Sequence, residues 1–135
     1  MAVTKGYKQL LAEANARIRT LTPADAAEKL NDPNVLFVDL RDPRELEREG
    51  MVPGAFHATR GMLEFWVDPD SPYYKQQFGE RKELVLYCAG GWRSALSAAT
   101  LHDMGYDGSI AHVDGGFGAW KKAGLPTEQR SPRPS

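Results

Sequence analysis

The only cysteine of the chain, Cys88, lies in a segment whose residue types suit nucleophilic chemistry. It follows the apolar run 84–87 and begins the segment Cys88-Ala89-Gly90-Gly91-Trp92-Arg93-Ser94. The thiolate is the nucleophilic form of cysteine, so a reactive cysteine needs surroundings that lower its pKa from about 8.5. Two glycines allow backbone N–H groups to turn inward, and a helix predicted over 94–104 adds its positive end. We therefore predict that Cys88 is a nucleophile in an anion-binding loop; the alternative is a small apolar residue that ends a buried strand.

Four charged residues are candidates to support this loop. Arg93 has five N–H donors and could either bind an anion or hold the loop in shape. Asp39 and Arg41 are separated by one residue after the apolar run 35–38, so they form either a local ion pair or a solvated surface pair. Arg60 could add positive charge for an anionic donor, although exposure to solvent is the ordinary fate of an arginine. The histidines show no catalytic partner in the sequence.

Two tryptophans are candidates for a pocket wall. Large aromatic side chains are more often part of a core, and this is the interpretation that we favour for Trp66. Trp92 stands between the candidate nucleophile and the predicted helix start, where it has little core to reach. We therefore expect Trp92 near the mouth of the loop.

The elements that must position these residues alternate between strands and helices. Apolar and β-branched runs predict strands over 35–38, 55–57, 84–87 and 110–113. Helical spacing, caps and glycine stops predict helices over 6–19, 23–30, 42–49, 94–104 and 117–122, and the segment 61–78 should hold short helices and loops. This alternation predicts a mostly parallel sheet covered on both faces. Because ligands lie at the carboxyl ends of such strands, Asp39 and Cys88 are expected at one rim.

Composition and charge limit the classes of function. A chain of 135 residues fits one domain, and 17 basic against 18 acidic residues give no overall field that would recruit nucleic acid or an anionic membrane. The N-terminus lacks the apolar core of a signal peptide and no stretch has the length of a membrane span, so we expect a soluble cytoplasmic protein. One cysteine and three scattered histidines give no metal-ligand spacing, and no cofactor is expected.

The segment from about Thr20 to Pro126 resembles the rhodanese family of sulfurtransferases in its single-domain form. The resemblance rests on four motifs in the family's order, namely Val38-Asp39-Leu40-Arg41 with Glu45, Val52-Pro53-Gly54-Ala55, the Cys88–Ser94 segment, and 114–120 with Gly124-Leu125-Pro126. It implies an α/β fold with three layers (α/β/α) around a mostly parallel sheet. We assign residues 20–128 to this domain, 1–19 to an N-terminal helical extension and 129–135 to a disordered tail. The sequence departs from the family at Met51, where a histidine is usual.

The resemblance also implies a reaction. The Cys88 thiolate attacks the outer sulfur of thiosulfate or a similar sulfur-containing anion, releases sulfite and becomes a persulfide. Cyanide, a thiol or a sulfur-acceptor protein then removes that sulfur, so the two covalent steps should give ping-pong kinetics. In this interpretation the backbone N–H groups of residues 89–93 stabilise the persulfide and Arg93 holds the loop, with Asp39, Arg41, Arg60 and Ser94 in supporting positions.

Two other functions compete with this interpretation. One is a phosphatase or an arsenate reductase on the same fold. Cys88 and Arg93 have four residues between them, whereas the related cell-cycle phosphatases have one more and so a wider cradle for phosphate. The other is a non-catalytic interaction module that docks through its N-terminal helix, although modules of this kind often lack the cysteine that this chain keeps.

Overall fold

The architecture is organised by a sheet of five strands in which every neighbouring pair is parallel. A computed structural model describes residues 2–130 of the chain. The strands are β1 (Arg19–Leu21), β2 (Val35–Asp39), β3 (Phe56–His57), β4 (Glu83–Tyr87) and β5 (Ser109–Val113). They lie in the order β1-β5-β4-β2-β3. The predicted fold class, an α/β fold of three layers around a mostly parallel sheet, is confirmed.

Seven α-helices accompany the strands along the described chain 2–130. They are α1 (Tyr7–Arg17), α2 (Pro23–Ala27), α3 (Pro43–Glu49), α4 (Leu63–Val67), α5 (Gln77–Glu80), α6 (Trp92–Asp103) and α7 (Gly116–Lys122), and a 3₁₀ turn covers Arg60–Met62. None of the helices within residues 2–130 combines the length and the apolar composition needed to cross a membrane. Residues 131–135 of the predicted tail lie outside the described residues.

Successive residues of each strand supply the two cores. In β2, Leu36 and Val38 pack with α4, α5 and α6, whereas Phe37 packs on the opposite face with α2 and α7. This follows from the two-residue period of side chains along a strand. On the outer side of this arrangement, Ala14 of α1 packs against Ala95 and Ala99 of α6. The sheet is thus covered on both faces, as the unbroken apolar runs of β2 and β4 predict.

Local capping signals act as the sequence indicates at two helix starts. The Thr22 side chain accepts a hydrogen bond from the Asp25 N–H at 3.1 Å and begins α2. Asp42 and Glu45 form a reciprocal capping box at the start of α3, with the Asp42 N–H 2.8 Å from Glu45 Oε2. Both signals are contained within a few residues, and this is why they are readable before the fold is known.

One predicted boundary is wrong and one strand was missed, and both matter for the site. The helix predicted over 94–104 begins two residues earlier, at Trp92, because Gly91 with φ +103° serves as its N-cap without any side-chain cap. The short strand β1 was not expected, and it adds Arg19–Leu21 to the edge of the sheet beside β5. As a result, Trp92 and Arg93 lie in the first turn of α6, and the loop itself is only Cys88–Gly91.

Candidate functional site

Cys88 stands at the carboxyl end of β4, at the same rim as Asp39 at the end of β2. The register sets Asp39 beside Tyr87, the residue before Cys88. Cys88 is 1% exposed, whereas Ala89 and Gly90 of the loop face solvent. The Gly91 N–H donates a hydrogen bond to Cys88 Sγ at 3.2 Å, and the thiol donates to Ser94 Oγ at 3.6 Å. The sulfur is therefore held between a loop N–H group and the first turn of α6, whose N–H groups have no partner within the helix.

The first turn of α7 fixes the backbone of this loop. The Phe117 N–H donates to the Cys88 carbonyl at 2.8 Å, and the Gly118 N–H donates to the Ala89 carbonyl at 3.1 Å. Gly116 makes this approach feasible, because a Cβ atom there would lie 2.6 Å from the Cys88 oxygen and 2.7 Å from the Ala89 backbone. Gly116 also has φ +61°, which side chains rarely tolerate. The glycine-rich motif at 114–120 thus holds the backbone of the loop in place through direct contacts.

Arg93 pairs with Glu45 of α3 through both terminal nitrogens. Its Nη1 and Nη2 each lie 2.9 Å from one oxygen of the Glu45 carboxylate. The hydrogen bond from Arg93 lowers the pKa of Glu45 to about 2, and the same bond raises the pKa of Arg93. Of the two roles predicted for Arg93, this geometry fits holding the loop in shape. Glu45 belongs to the first motif of the resemblance, but the sequence did not pair it with Arg93, because its local signal is the capping box that it shares with Asp42.

Asp39 and Arg41 form a buried ion pair rather than a solvated one. Arg41 donates to Asp39 through Nε at 3.0 Å and Nη2 at 2.7 Å, and its guanidinium carbon lies 4.4 Å from the centre of the Phe117 ring. The Tyr87 hydroxyl donates to Asp39 Oδ2 at 2.6 Å. Burial raises the pKa of Tyr87, and the neighbouring Asp39 raises it further. The pair therefore supports the loop indirectly, by fixing the ends of β2 and β4.

The other residues singled out in the sequence lie at different positions relative to the Cys88 loop. Arg60 is exposed on the 3₁₀ turn, and within residues 2–130 no hydrogen bond or ion pair links its guanidinium to the loop. Trp92 is 61% exposed at the start of α6, and its ring centre lies 5.0 Å from that of Tyr7 on α1. Trp66 is partly buried against the core, as expected. Met51 is buried, and its backbone exchanges two hydrogen bonds with Glu128.

A histidine that sequence reasoning left without a partner lies next to this site. Ser94 Oγ, which accepts from Cys88, lies 2.9 Å from Nδ1 of His112 on β5. Nε2 of the same ring is 3.1 Å from Asn15 Oδ1 and 3.2 Å from Thr20 Oγ1. These residues come from four separate elements, so no spacing in the sequence could have linked them.

Comparison with known proteins decides the family. The model of the rhodanese-like domain matches residues 22–123. The chain belongs to the rhodanese-like domain family. This confirms the resemblance carried by the four motifs, and it leaves α1 ahead of the matched range.

Several rhodanese-like relatives are sulfurtransferases by name. A thiosulfate sulfurtransferase, GlpE of Actinobacillus succinogenes, is 32% identical over 80% of this chain and 88% of its own length. A sulfurtransferase of Allochromatium vinosum is 32% identical over 69% of this chain and 78% of its own length. A solved polysulfide-sulfur transferase homodimer of Wolinella succinogenes has a TM-score of 0.68 and 31% identity, covering 93% of this chain and 88% of that one. These relatives support a sulfurtransferase of the rhodanese type.

Another solved structure carries a different description. A protein of unknown function from Rhodopseudomonas palustris, described as a possible tyrosine phosphatase, is 56% identical with a TM-score of 0.90. The match covers 95% of this chain and 98% of that chain. Phosphatase chemistry is therefore the alternative against which the site has to be tested.

Proposed function

We propose that this protein transfers sulfane sulfur from thiosulfate or a related anion to a thiol or cyanide through a persulfide on Cys88. The observation that carries the proposal is the position of Cys88 Sγ, with the Gly91 N–H directed at it and the first turn of α6 beside it. A persulfide places negative charge one atom beyond Sγ, where N–H groups at a helix start stabilise it. The loop thus acts by electrostatic stabilisation of the sulfur anion.

The two steps balance without any added reagent. In the first, the Cys88 thiolate forms a bond to the outer sulfur of thiosulfate, and the sulfur–sulfur bond of the donor breaks with its electron pair leaving on sulfite. In the second, the acceptor nucleophile attacks the outer sulfur of the persulfide, and the electron pair of that bond returns to Cys88 as thiolate. A thiol acceptor leaves as a persulfide and cyanide leaves as thiocyanate.

The pairing of Arg93 with Glu45 favours sulfur transfer over phosphate chemistry. An arginine that grips a phosphate does so with its planar fork of N–H donors. Here the two terminal nitrogens of Arg93 are both engaged by Glu45, and the shorter spacing between Cys88 and Arg93 narrows the cradle. Holding the loop in a shape that fits one sulfur atom requires no free guanidinium.

Substrates approach from the side where Ala89, Gly90 and Trp92 are exposed. Trp92 and Tyr7 form an exposed aromatic pair beside the loop, and the flat apolar surface of such a pair limits the size and orientation of an incoming donor or of a sulfur-acceptor protein. Arg60, exposed on the 3₁₀ turn that follows β3, is proposed to attract an anionic donor.

Steady-state assays of both activities in one preparation test the proposal. The wild-type protein should convert thiosulfate and cyanide to thiocyanate with ping-pong kinetics, and it should hydrolyse an aryl phosphate poorly. Cys88→Ser should abolish thiocyanate formation, while Ser71→Ala, at a half-buried position between α4 and α5, should leave it unchanged. Efficient hydrolysis of the aryl phosphate without thiocyanate formation would instead establish the phosphatase.

A further inference from the structure

His112 is a buried titratable group that the proposed sulfur chemistry has so far not used. It is 3% exposed on β5, paired in register with Leu86 on one side and Thr20 on the other. Its side chain extends a line of hydrogen bonds that begins at Cys88 Sγ and passes through Ser94 Oγ to Nδ1 of the ring. The line continues from Nε2 to Asn15 on the surface of α1. Both ring nitrogens therefore have a partner, as buried polar groups generally do, and one of those partners is the hydroxyl that accepts from the Cys88 thiol.

The direction of every hydrogen bond in this line follows from Asn15. Its Nδ2 donates to the Leu11 carbonyl at 3.0 Å, so its Oδ1 faces the histidine as an acceptor. Nε2 of His112 must then carry the ring proton, and Nδ1 is left as an acceptor. The Ser94 hydroxyl therefore donates to Nδ1 and keeps its lone pairs for the thiol. The thiol, the hydroxyl and the imidazole form a connected path for one proton, running away from the sulfur.

The charges around the ring keep it available as an acceptor. Burial lowers the pKa of His112, and the Asp114 carboxylate further along the chain opposes that lowering. The elements packed against the ring contact it through uncharged groups, namely Asn15 of α1, Thr20 of β1 and Ser94 of α6. Beyond Ser94 lies the thiol itself. With Asn15 Oδ1 accepting at Nε2 and the Ser94 hydroxyl donating at the other nitrogen, Nδ1 is the acceptor that faces Ser94.

We propose that His112 is a positioning residue for Cys88 that accepts the thiol proton through Ser94. The S–H bond breaks as its proton passes to Ser94 Oγ, and the Ser94 O–H bond breaks as its proton passes to Nδ1. The electron pair stays on Sγ as a thiolate, the ring becomes an imidazolium, and the net charge of the network is unchanged. This inference rests on the proposed function only in taking Cys88 as the nucleophile. Its consequence is that the thiolate and the imidazolium form together, so that deprotonation of Cys88 needs no base in direct contact with Sγ.

A single charge added at the far end of the network provides the sharpest test. Asn15 is exposed on α1, so Asn15→Asp leaves the fold intact while placing a carboxylate against Nε2. That carboxylate stabilises the imidazolium, and the alkylation of Cys88 by iodoacetamide at about pH 6 should become several-fold faster relative to its alkaline plateau. Because Cys88 is the only cysteine, the reaction reports on this site alone. Asn31→Asp, before the amino end of β2, adds the same charge away from the network and should leave the ratio unchanged.

The opposite change should follow from removing the proton acceptor. His112→Asn keeps an oxygen near the position of Nδ1 but cannot be protonated, and it should slow alkylation at about pH 6 by roughly tenfold or more without lowering the alkaline plateau. Ser94→Ala should give the same loss, and the double variant should lose no more than either single one. His102→Asn, on the exposed end of α6, is the matched control, and circular dichroism confirms that each variant is folded.

Two results would overturn the inference. The first is a pH dependence of Cys88 alkylation that is the same in Asn15→Asp as in Asn31→Asp. The second is a folded His112→Asn variant with the wild-type profile, which would reduce His112 to a packing residue. Neither result depends on thiosulfate, so the inference fails independently of the sulfurtransferase assay.

Discussion

Arg93 and Glu45 determine how the candidate nucleophile is held. They lie 48 residues apart, yet their two parallel hydrogen bonds tie the first turn of α6 to the first turn of α3. Glu45 also accepts the Asp42 N–H, so one carboxylate both caps α3 and anchors the loop. We propose that an arginine whose two terminal nitrogens are bound by Glu45 shapes the loop and does not bind the substrate, and this is the residue-level reason for favouring sulfur over phosphate.

The ion pair predicts a pH dependence of stability that is specific to Glu45. Its pKa falls from 4.5 to about 2 in the folded protein, so its stabilisation is complete above 4.5 and is lost as the pH falls towards about 2. Because Arg93 is 35% exposed on its side chain, the contribution should be about 1 kcal/mol or less. Urea unfolding across this pH range should show Glu45→Gln less stable than wild type above about pH 5 and equal to it near pH 2.

The matched control for this experiment is Glu64→Gln, at an exposed position of α4. Its free energy of unfolding should differ from that of the wild type by a small amount, and this difference should not change with pH as Glu45 titrates. If Glu45→Gln and wild type kept a constant difference down to pH 2, the ion pair would not be what holds Arg93.

At the scale of elements, the site is a junction of β4, α6 and the first turn of α7. β4 delivers Cys88 to the rim, α6 begins immediately after Gly91, and the first turn of α7 donates two N–H groups to the loop carbonyls. Each contact involves backbone atoms, so the loop has little freedom to change shape. The geometry around the sulfur is therefore set before any substrate binds.

Gly116→Ala tests whether this backing matters. The new Cβ would lie within 2.7 Å of the loop backbone, so we expect the loop to be displaced, with persulfide formation slowed by about tenfold or more and a stability cost of about 1–3 kcal/mol. Gly118→Ala is the graded control, since its Cβ would meet only the Ala89 oxygen at 3.4 Å. The measurements are the rate of thiosulfate-dependent sulfur loading and the thermal midpoint. Equal behaviour of the two variants would show that the loop does not depend on this close approach.

The whole molecule joins a family domain to a helix that precedes it. The family match begins at residue 22, whereas α1 packs its Ala14 on α6 and brings Asn15 to His112 and Tyr7 to Trp92. The motifs within the matched range therefore do not include every residue that reaches the site. We therefore expect α1 to belong to the functional domain, so that it cannot be removed without altering the site.

How much of this arrangement the sequence predicts depends on how local each feature is. The buried strands, the caps at Thr22 and Asp42, and the Cys88 loop at the carboxyl rim all follow from short contiguous patterns. The strand β1 does not, because three residues carry too little pattern and it exists only through pairing with β5. The pairs Arg93–Glu45 and Ser94–His112 depend on strand order and register, which a single sequence leaves open.

Intact mass after treatment with a sulfur donor tests the central claim most directly. Wild-type protein incubated with thiosulfate should gain the mass of one sulfur atom, lose it again on addition of cyanide or a thiol, and do so in repeated cycles. Cys88→Ala should gain nothing under the same conditions, which would assign the sulfur to this residue. An unchanged mass in the wild type, or a gain that persists in Cys88→Ala, would contradict a persulfide on Cys88.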